Sequence, residues 1–362
     1  MRYSEFKILT EAKVGREYNH LEDLVFIDGS AGATKAIDIL RKLGSDSGDV
    51  AIKWDGYPTM YWGREPDGQF VLVGKNGWSK GQPAKSPKEL YQFITSTGKG
   101  EDWRETFGRD MAAIFSVMEA STPVDFEGYV YGDLLYHPGN PVESSAGGIN
   151  FTPNLVTYTV DPKSQLGRRI EASKVGVVVH TKYPAFGDPS GTPITDVQEL
   201  NSKDAVVLGQ TYVTHQPKID TSEVDSIEKF ANQYCQSIDK FLAPVAGLSD
   251  MKNIIYTYVN QTSRAGNLKG LEKGFFNWLA GSKVSANKQA KINDMAKSNP
   301  NALPAVFSLV KQIMKAKDHI IQQLDDAPSD VKQSTKGEKG GEGYVALGSK
   351  TKLVPRTRWT PA

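Results

Sequence analysis

A lysine that is followed by a tryptophan, an acid and a glycine, Lys53-Trp54-Asp55-Gly56, is the part of the chain best suited to covalent chemistry. Ile52 and Trp54 are apolar, so the element that carries Lys53 is at least half buried. Burial disfavours the charged form of a lysine, and the free amine is a nucleophile. Asp55 can supply an acidic partner, and Gly56 tolerates the positive φ of a turn. The alternative is purely structural, a strand-end lysine before a turn.

A second charged group lies near the C-terminus. Glu342 precedes one short apolar run, while Lys350 and Lys352 alternate on the next, which places both lysines on one face if that run is a strand. Residues 331–362 hold seven basic and two acidic side chains. Attack of a lysine on a phosphoryl group needs cations on the phosphates and a carboxylate for Mg²⁺. The group therefore predicts an anion site, and a basic solvated tail is the alternative.

Composition describes an ordinary globular protein. The chain has 362 residues, 39 % of them apolar and 23 % charged, with a formal net charge of +1, so any nucleic-acid binding must come from a local patch. The single cysteine excludes an internal disulfide and indicates a reducing compartment. No apolar run approaches the ~18 residues that span a bilayer. Five scattered histidines predict no structural zinc; His180 could line a cleft, but a packed or surface position is the simpler reading.

The elements that would position these residues are mostly short strands. Val50–Trp54, Thr59–Gly63 and Phe70–Gly74 are rich in β-branched and aromatic residues, and Pro66-Asp67-Gly68 predicts a hairpin turn. The lysine is therefore expected in an antiparallel sheet. Further predicted elements are a helix over 33–43 after a turn over 29–32, helices over 88–96 and 103–120, and strands over 126–136, 155–160 and 174–181.

The pattern of apolar residues in the sequence changes near Ser222. Residues 223–326 lack β-rich runs and carry apolar residues at helical spacing, which predicts about five helices packed as a bundle. Residues 327–341 are expected to be a polar linker, followed by a hairpin over 343–354. We therefore predict a core over 1–222, an inserted helical domain over 223–330, and completion of the core by 331–362. The insert could clamp nucleic acid through Lys283, Lys288, Lys291 and Lys297, although a solvated helix face is the simpler interpretation.

Six motifs in order resemble those of the covalent nucleotidyltransferases, the superfamily of ATP-dependent DNA ligases, RNA ligases and mRNA capping enzymes. Lys53-Trp54-Asp55-Gly56 is similar to the motif of the nucleophilic lysine. The other matches are Lys75-Asn76-Gly77, Tyr131-Gly132-Asp133-Leu134, Tyr158, Glu342-Gly343-Tyr344-Val345 and Lys350-Thr351-Lys352-Leu353. The resemblance covers roughly residues 48–185 and 340–356. It implies an α+β fold with a nucleotidyltransferase core of antiparallel sheets flanked by helices, and the helical segment predicted above would be an all-α insertion in that core.

The resemblance also implies a role for each residue. Lys53 would form a lysyl-AMP from ATP, with Asp55 and Gly56 beside it in the nucleotide site. Asp133 and Lys75 would contact the ribose, and Tyr158 would stack on the adenine. Glu342 would hold Mg²⁺. Lys350 and Lys352 would neutralise charge on the phosphates.

Departures from the family pattern qualify this reading. Pro58 stands where many DNA ligases and capping enzymes have an arginine, and Asp133 stands where glutamate is usual. The helical segment separates the motifs of Asp133 and Glu342 unusually far. The chain ends soon after Lys352, which favours an RNA-ligase-like member over enzymes with a following OB-fold, and leaves open a degenerate member that no longer ligates.

The function that we predict is ATP-dependent joining of 5′-phosphate to 3′-hydroxyl polynucleotide ends, with RNA favoured over DNA. The partners are nucleic acid and no membrane, and the compartment is the cytoplasm, that of an infected host if the protein is phage-encoded. Two alternatives remain, an adenylyltransferase or nucleotide-binding protein that does not seal strands, and a phage head component on a degenerate ligase fold. Leu9-Thr10-Glu11-Ala12 supports the latter, because it resembles the site at which leader peptides of phage internal head proteins are removed; it leaves packaging into the virion open.

Overall fold

The computed structural model describes residues 18–45, 50–96, 102–194 and 196–359, so the leader segment Leu9-Thr10-Glu11-Ala12 lies outside the described residues. The fold is mixed α+β, as predicted. Its helices are α1 Leu24–Leu43, α2 Lys75–Ser79, α3 Pro87–Ser96, α4 Asp102–Ser121, α5 Gln165–Ala172, α6 Thr221–Leu242, α7 Met251–Arg264, α8 Leu271–Gly281, α9 Ala286–Ser298 and α10 Ala302–Asp326. Across the described ranges, no helix is both long and apolar enough to cross a membrane.

The strands are short and form three sheets. They are β1 Asn19–His20, β2 Val50–Ile52, β3 Thr59–Arg64, β4 Phe70–Gly74, β5 Gly128–Tyr136, β6 Glu143–Ser145, β7 Gly148–Phe151, β8 Val156–Val160, β9 Val175–Tyr183, β10 Thr192–Pro193, β11 Ala205–Leu208, β12 Val331–Thr335, β13 Glu338–Lys339, β14 Tyr344–Ala346 and β15 Thr351–Leu353.

The chain divides into two compact units, each assembled from separate segments. The first unit holds Met1–Ile52, Tyr212–Pro328 and Gly343–Ala362; the second holds Lys53–Thr211 and Ser329–Glu342. These boundaries differ from the predicted 1–222, 223–330 and 331–362. The physical reason is that α6 and α10 pack on α1, so the helical segment shares a unit with the N-terminal helix instead of standing alone as an insert.

The first unit combines the helices α1 and α6–α10 with a small sheet of order β1-β15-β14-β2. β2 pairs antiparallel with β14, with Ile52 opposite Tyr344, as expected for the strand before the lysine. The five helices predicted between 223 and 326 are confirmed. α1 begins nine residues earlier than predicted and kinks at Gly29, where φ is 62°. There the Asp239 carboxylate accepts hydrogen bonds from the amide and hydroxyl of Ser30 and caps the second half of the helix.

The second unit contains the other two sheets. The larger has the order β10-β9-β5-β3-β4 with β11 beside β9, and one face packs on α3 and α4 through residues such as Trp62, Val130 and Ile114. The smaller has the order β13-β12-β8-β7-β6 and is antiparallel throughout. The prediction that 327–341 is a linker is wrong, because β12 pairs with β8 and buries Val331 and Thr335.

A buried ionic cluster ties together distant parts of the first unit. Lys317 of α10 is 0 % exposed and donates to both carboxylate oxygens of Glu22, at 3.0 and 2.9 Å, and to the carbonyl of Val354 at 2.8 Å. Arg356 donates to Glu22 at 2.6 Å and also pairs with Asp23. Burial alone would raise the pKa of Glu22, but Lys317 and Arg356 outweigh it and hold that pKa below its usual value.

Removal of the lysine should therefore be costly. We expect Lys317→Met to lower the free energy of unfolding by about 3–5 kcal/mol, because the Glu22 carboxylate stays buried with fewer partners. Lys315→Met is the matched control on the same helix. The Lys315 side chain is 66 % exposed, so solvent screens its ion pair with Glu223 and the loss should be small. Urea unfolding measures both; equal losses would contradict the stabilising role of the buried cluster.

Asp318, next to Lys317, should make the free energy of unfolding depend on pH. Its Oδ1 is buried without a hydrogen-bond partner among the described residues, and burial raises the pKa of Asp318 to about 6 despite the nearby Lys317. A raised carboxyl pKa stabilises the fold at low pH, and that contribution is lost as the pH rises through about 6. Asp318→Asn should thus stabilise the protein by about 1–3 kcal/mol at pH 8 and change little at pH 4. Urea unfolding at both pH values tests this, and a gain independent of pH would contradict it.

Candidate active site

Lys53 and Glu342, both in the second unit, form an ion pair. The Lys53 Nζ lies 2.5 Å from the Glu342 Oε1, and the two side chains are 24 % and 17 % exposed. Lys53 directly follows β2, and Glu342 comes two residues before β14. A charge-assisted hydrogen bond this short is strong, and partial burial weakens its screening by solvent. The structure therefore brings together the predicted nucleophile and the predicted metal-binding carboxylate, which are far apart in sequence.

Asp55 fixes the loop that follows the lysine. Its side chain is 3 % exposed, and its carboxylate accepts hydrogen bonds from the Asn154 Nδ2 at 3.1 Å and the Leu155 backbone amide at 3.0 Å. The Asp55 amide donates to the Tyr158 hydroxyl at 2.6 Å. Asn154 was not predicted as a site residue. The only indication in the sequence was its position just before a strand, at the end of a loop rich in glycine, serine and proline.

Tyr158 is buried and does not present a face to a nucleobase. The residue is 0 % exposed, and its ring packs against Trp54 and Phe151 with centroid distances of 4.5 and 5.4 Å. Burial raises the pKa of Tyr158 well above its usual value, so the hydroxyl stays protonated. The predicted stacking role does not fit this geometry. The tyrosine instead holds the Asp55 backbone.

Gly56 allows the same loop to lie directly against β5. A Cβ at this position would come within 2.5 Å of the Asp133 Cβ and 3.1 Å of the Leu134 carbonyl oxygen. Two backbone hydrogen bonds secure the contact, from the Tyr57 amide to the Leu134 carbonyl at 2.8 Å and from the Leu134 amide to the Pro58 carbonyl at 3.0 Å. The absence of a side chain at Gly56 is therefore what places the lysine loop beside Asp133.

Asp133 is the centre of a polar row on the larger sheet. Its Oδ1 accepts a hydrogen bond from the Thr59 hydroxyl at 2.7 Å, and its Oδ2 lies 3.1 Å from the His180 Nε2. The Tyr131 ring lies beside His180, with centroids 5.2 Å apart. The side chains of Asp133 and His180 are 16 % and 31 % exposed. His180 therefore lies at the site, where the sequence had favoured a packed or surface histidine.

The remaining predicted cations occupy different positions. Lys75 is an exposed residue at the start of α2, next to Gly74, which pairs with Met60. Since Thr59 pairs with Asp133, the register puts Lys75 at the same end of the larger sheet.

The predicted alternation of Lys350 and Lys352 on one strand is wrong. Lys350 precedes β15, in a turn where its φ is 51°. Lys352 is a half-buried residue of β15. Both belong to the first unit.

The carboxylates of the site are unequal as metal ligands. No group of three or more His, Cys, Asp or Glu side chains within the described ranges could hold a metal ion. Asp55 accepts from Asn154 and Leu155, and Asp133 contacts Thr59 and His180. Glu342 pairs with Lys53, so it could hold a metal ion only when that pair opens. A single carboxylate suits Mg²⁺ only where phosphates and water supply the other ligands, which is how Mg²⁺ binds in many nucleotide sites.

Comparison with known proteins gives a family but no activity. A family model described as "Family of unknown function (DUF6267)" matches residues 17–362. The chain is a DUF6267 protein. No curated protein and no solved structure matches it. The site of this DUF6267 protein has an amine, Lys53, and a carboxylate within hydrogen-bond distance of it, Glu342. The loop after the lysine is held in place at Asp55 and Gly56.

Gly56→Ala tests whether this close approach shapes the site of the DUF6267 protein. The new Cβ cannot fit beside Asp133, so we expect a loss of about 1–3 kcal/mol in unfolding free energy. Gly147→Ala is the matched control in the same unit, because its Cβ would have only the Ser145 Oγ nearby, at 3.7 Å. The measurement is urea unfolding of both variants. Tolerance of alanine at Gly56 would mean that the loop does not need this contact.

Proposed function

We propose that this DUF6267 protein is an ATP-dependent polynucleotide ligase of the covalent nucleotidyltransferase type, with RNA favoured over DNA. The observation that carries the proposal is the ion pair between Lys53 and Glu342, 2.5 Å long and partly buried. A solvated surface pair would need neither the anchored Asp55 nor the tight packing at Gly56. The antiparallel pairing of β3 with β5 and the order of the six motifs add support.

The first step follows from the contact between the two side chains. The Lys53 ammonium must lose a proton before it can attack, and the Glu342 oxygen within hydrogen-bond distance is placed to accept it. The amine nitrogen then attacks the α-phosphorus of ATP. A nitrogen–phosphorus bond forms, the bond from the α-phosphorus to the bridging oxygen breaks, and pyrophosphate leaves with that oxygen. The product is a lysyl-AMP.

Transfer of the adenylate completes the reaction. A 5′-phosphate end attacks the lysyl-AMP phosphorus and frees the amine, and a 3′-hydroxyl then displaces AMP to form the phosphodiester. Asp133, supported by Thr59 and His180, and Lys75 are proposed to contact the ribose. Once Glu342 has passed the proton from Lys53 on to water, its carboxylate and the phosphates would hold Mg²⁺, which would supply charge neutralisation.

Two observations favour a second candidate, a phage head-associated protein on a degenerate ligase fold. The buried Tyr158 gives a nucleobase no platform, and Lys350 lies in a turn and not on a strand. A scaffold of this kind would keep the sheets and lose nucleotide transfer. An adenylyltransferase that does not seal strands lies between these possibilities, since it would keep the lysyl-AMP step alone.

Labelling with ATP separates the three candidates: the ligase, the adenylyltransferase that does not seal strands, and the phage head-associated scaffold. Incubation of the full chain with α-³²P-labelled ATP and Mg²⁺, followed by denaturing electrophoresis, should give a labelled protein whose bond is stable in base and labile in acid. Lys53→Ala and Lys53→Arg should abolish the label, because neither supplies a free primary amine. Lys174→Ala should retain it, since Lys174 is an exposed lysine of the same unit that pairs with Asp204.

Each outcome assigns the protein to one class. Absence of label on the unmodified chain, or label that survives Lys53→Ala, would refute the proposal of an enzyme that acts through Lys53. Labelled protein that joins no nicked or single-stranded RNA or DNA would favour the non-sealing adenylyltransferase. Replacement of ATP by labelled GTP tests the choice of nucleotide.

A further inference from the structure

A groove of ≈ 960 Å³ runs along the helical part of the first unit, where α7, α8 and α9 meet. Its lining is mixed, with one large aromatic ring, several amides and two lysines: Asn253, Gln261, Asn277, Trp278, Lys283 and Lys288. None of these residues belongs to the candidate active site, which lies in the second unit. The groove is therefore a feature separate from the candidate active site.

The segment of the chain that carries the groove is basic. Residues 243–300 hold eight basic and three acidic side chains, whereas the whole chain has a formal net charge of +1. Asp250 also lines the groove and pairs with Lys288 at 2.7 Å, whereas Lys283 is exposed and has no ion pair within the described ranges, so the excess positive charge of the lining lies at Lys283. The N-terminal end of α9, at Ala286, adds the positive end of a helix dipole. This side of the molecule favours an anionic ligand.

Trp278 provides a fixed aromatic wall. Its ring packs against Tyr258 and Phe275 with centroid distances of 5.3 and 5.9 Å, and its Nε1 donates to the Gln261 Oε1 at 2.5 Å. The ring is half-buried, so one part is held by the core while another lines the groove. Asn253 and Asn277 place amide groups, which can both donate and accept, along the same lining.

We propose that this groove binds single-stranded nucleic acid. Lys283 and the start of α9 contact a phosphate, a base stacks on Trp278, and the amides contact base edges. A duplex fits less well, because its bases are stacked on each other and offer no free face to Trp278. An acidic peptide would use the lysine but not the aromatic wall. The proposal deepens the proposed function by naming its substrate class, yet the binding it predicts requires no ATP.

Fluorescence anisotropy with the full chain tests the groove. The probes are fluorescein-labelled oligo-U and oligo-dT of 12 nucleotides, without ATP or Mg²⁺. Trp278→Ala should weaken binding about tenfold or more through loss of stacking, whereas Trp278→Phe should stay within about threefold of the unmodified chain. Lys283→Glu should weaken binding about tenfold and flatten its dependence on salt. Lys229→Glu, an exposed lysine of α6 with the same change in charge, is the matched control and should change binding little.

The possible results are distinct. Absence of binding, equal losses in Lys283→Glu and Lys229→Glu, or full competition by duplex DNA or polyglutamate would each overturn the proposal. Lys283→Glu alters an exposed side chain, so the test does not depend on how well Trp278→Ala folds. If the chain binds oligonucleotides but is not labelled by ATP, only the ligase proposal is refuted. If it is labelled but does not bind oligonucleotides, only the proposal for the groove is refuted.

Discussion

Fixation of Asp55 is the interaction on which the candidate site depends. A buried carboxylate must find hydrogen-bond donors inside the protein, and Asp55 finds them in the Asn154 side chain and the Leu155 amide. Its own amide is in turn held by Tyr158. Because Asp55 is only two residues from Lys53, these bonds limit the positions that the lysine backbone can adopt. A reactive amine needs this kind of preorganised support.

The two units bury charge in opposite ways. In the first unit, Glu22 and Lys317 are both 0 % exposed and contact only protein groups, so they are out of reach of a ligand. In the second unit, Lys53 and Glu342 remain 24 % and 17 % exposed, so each keeps access to solvent. The first arrangement is a structural cross-link. The second is an ion pair whose two members can both be reached by solvent.

Most regular elements could be predicted from the sequence, and the exceptions have physical reasons. The hairpin of β3 and β4 and the five helices α6–α10 carry strong periodicity, and the structure has them where expected. β12 was missed because three consecutive polar residues separate its two buried ones, Val331 and Thr335, and its pairing with β8 is a long-range contact. The kink at Gly29 depends on Asp239, far along the chain.

The site was predicted only in part, for similar reasons. Lys53, Asp133 and Glu342 could be selected by resemblance to a family, but spacing alone does not bring residues so distant in sequence together. Burial of Tyr158 arises from packing by Trp54 and Phe151, and the turn at Lys350 is a local backbone choice that strand alternation does not reveal. Asn154 and His180 have no motif of their own, and only their contacts identify them.

The discontinuous make-up of the units also bears on biosynthesis. During translation β2 leaves the ribosome long before its sheet partner β14, so the nascent first unit must keep an unpaired strand edge until α6–α10 and then β14 have been made.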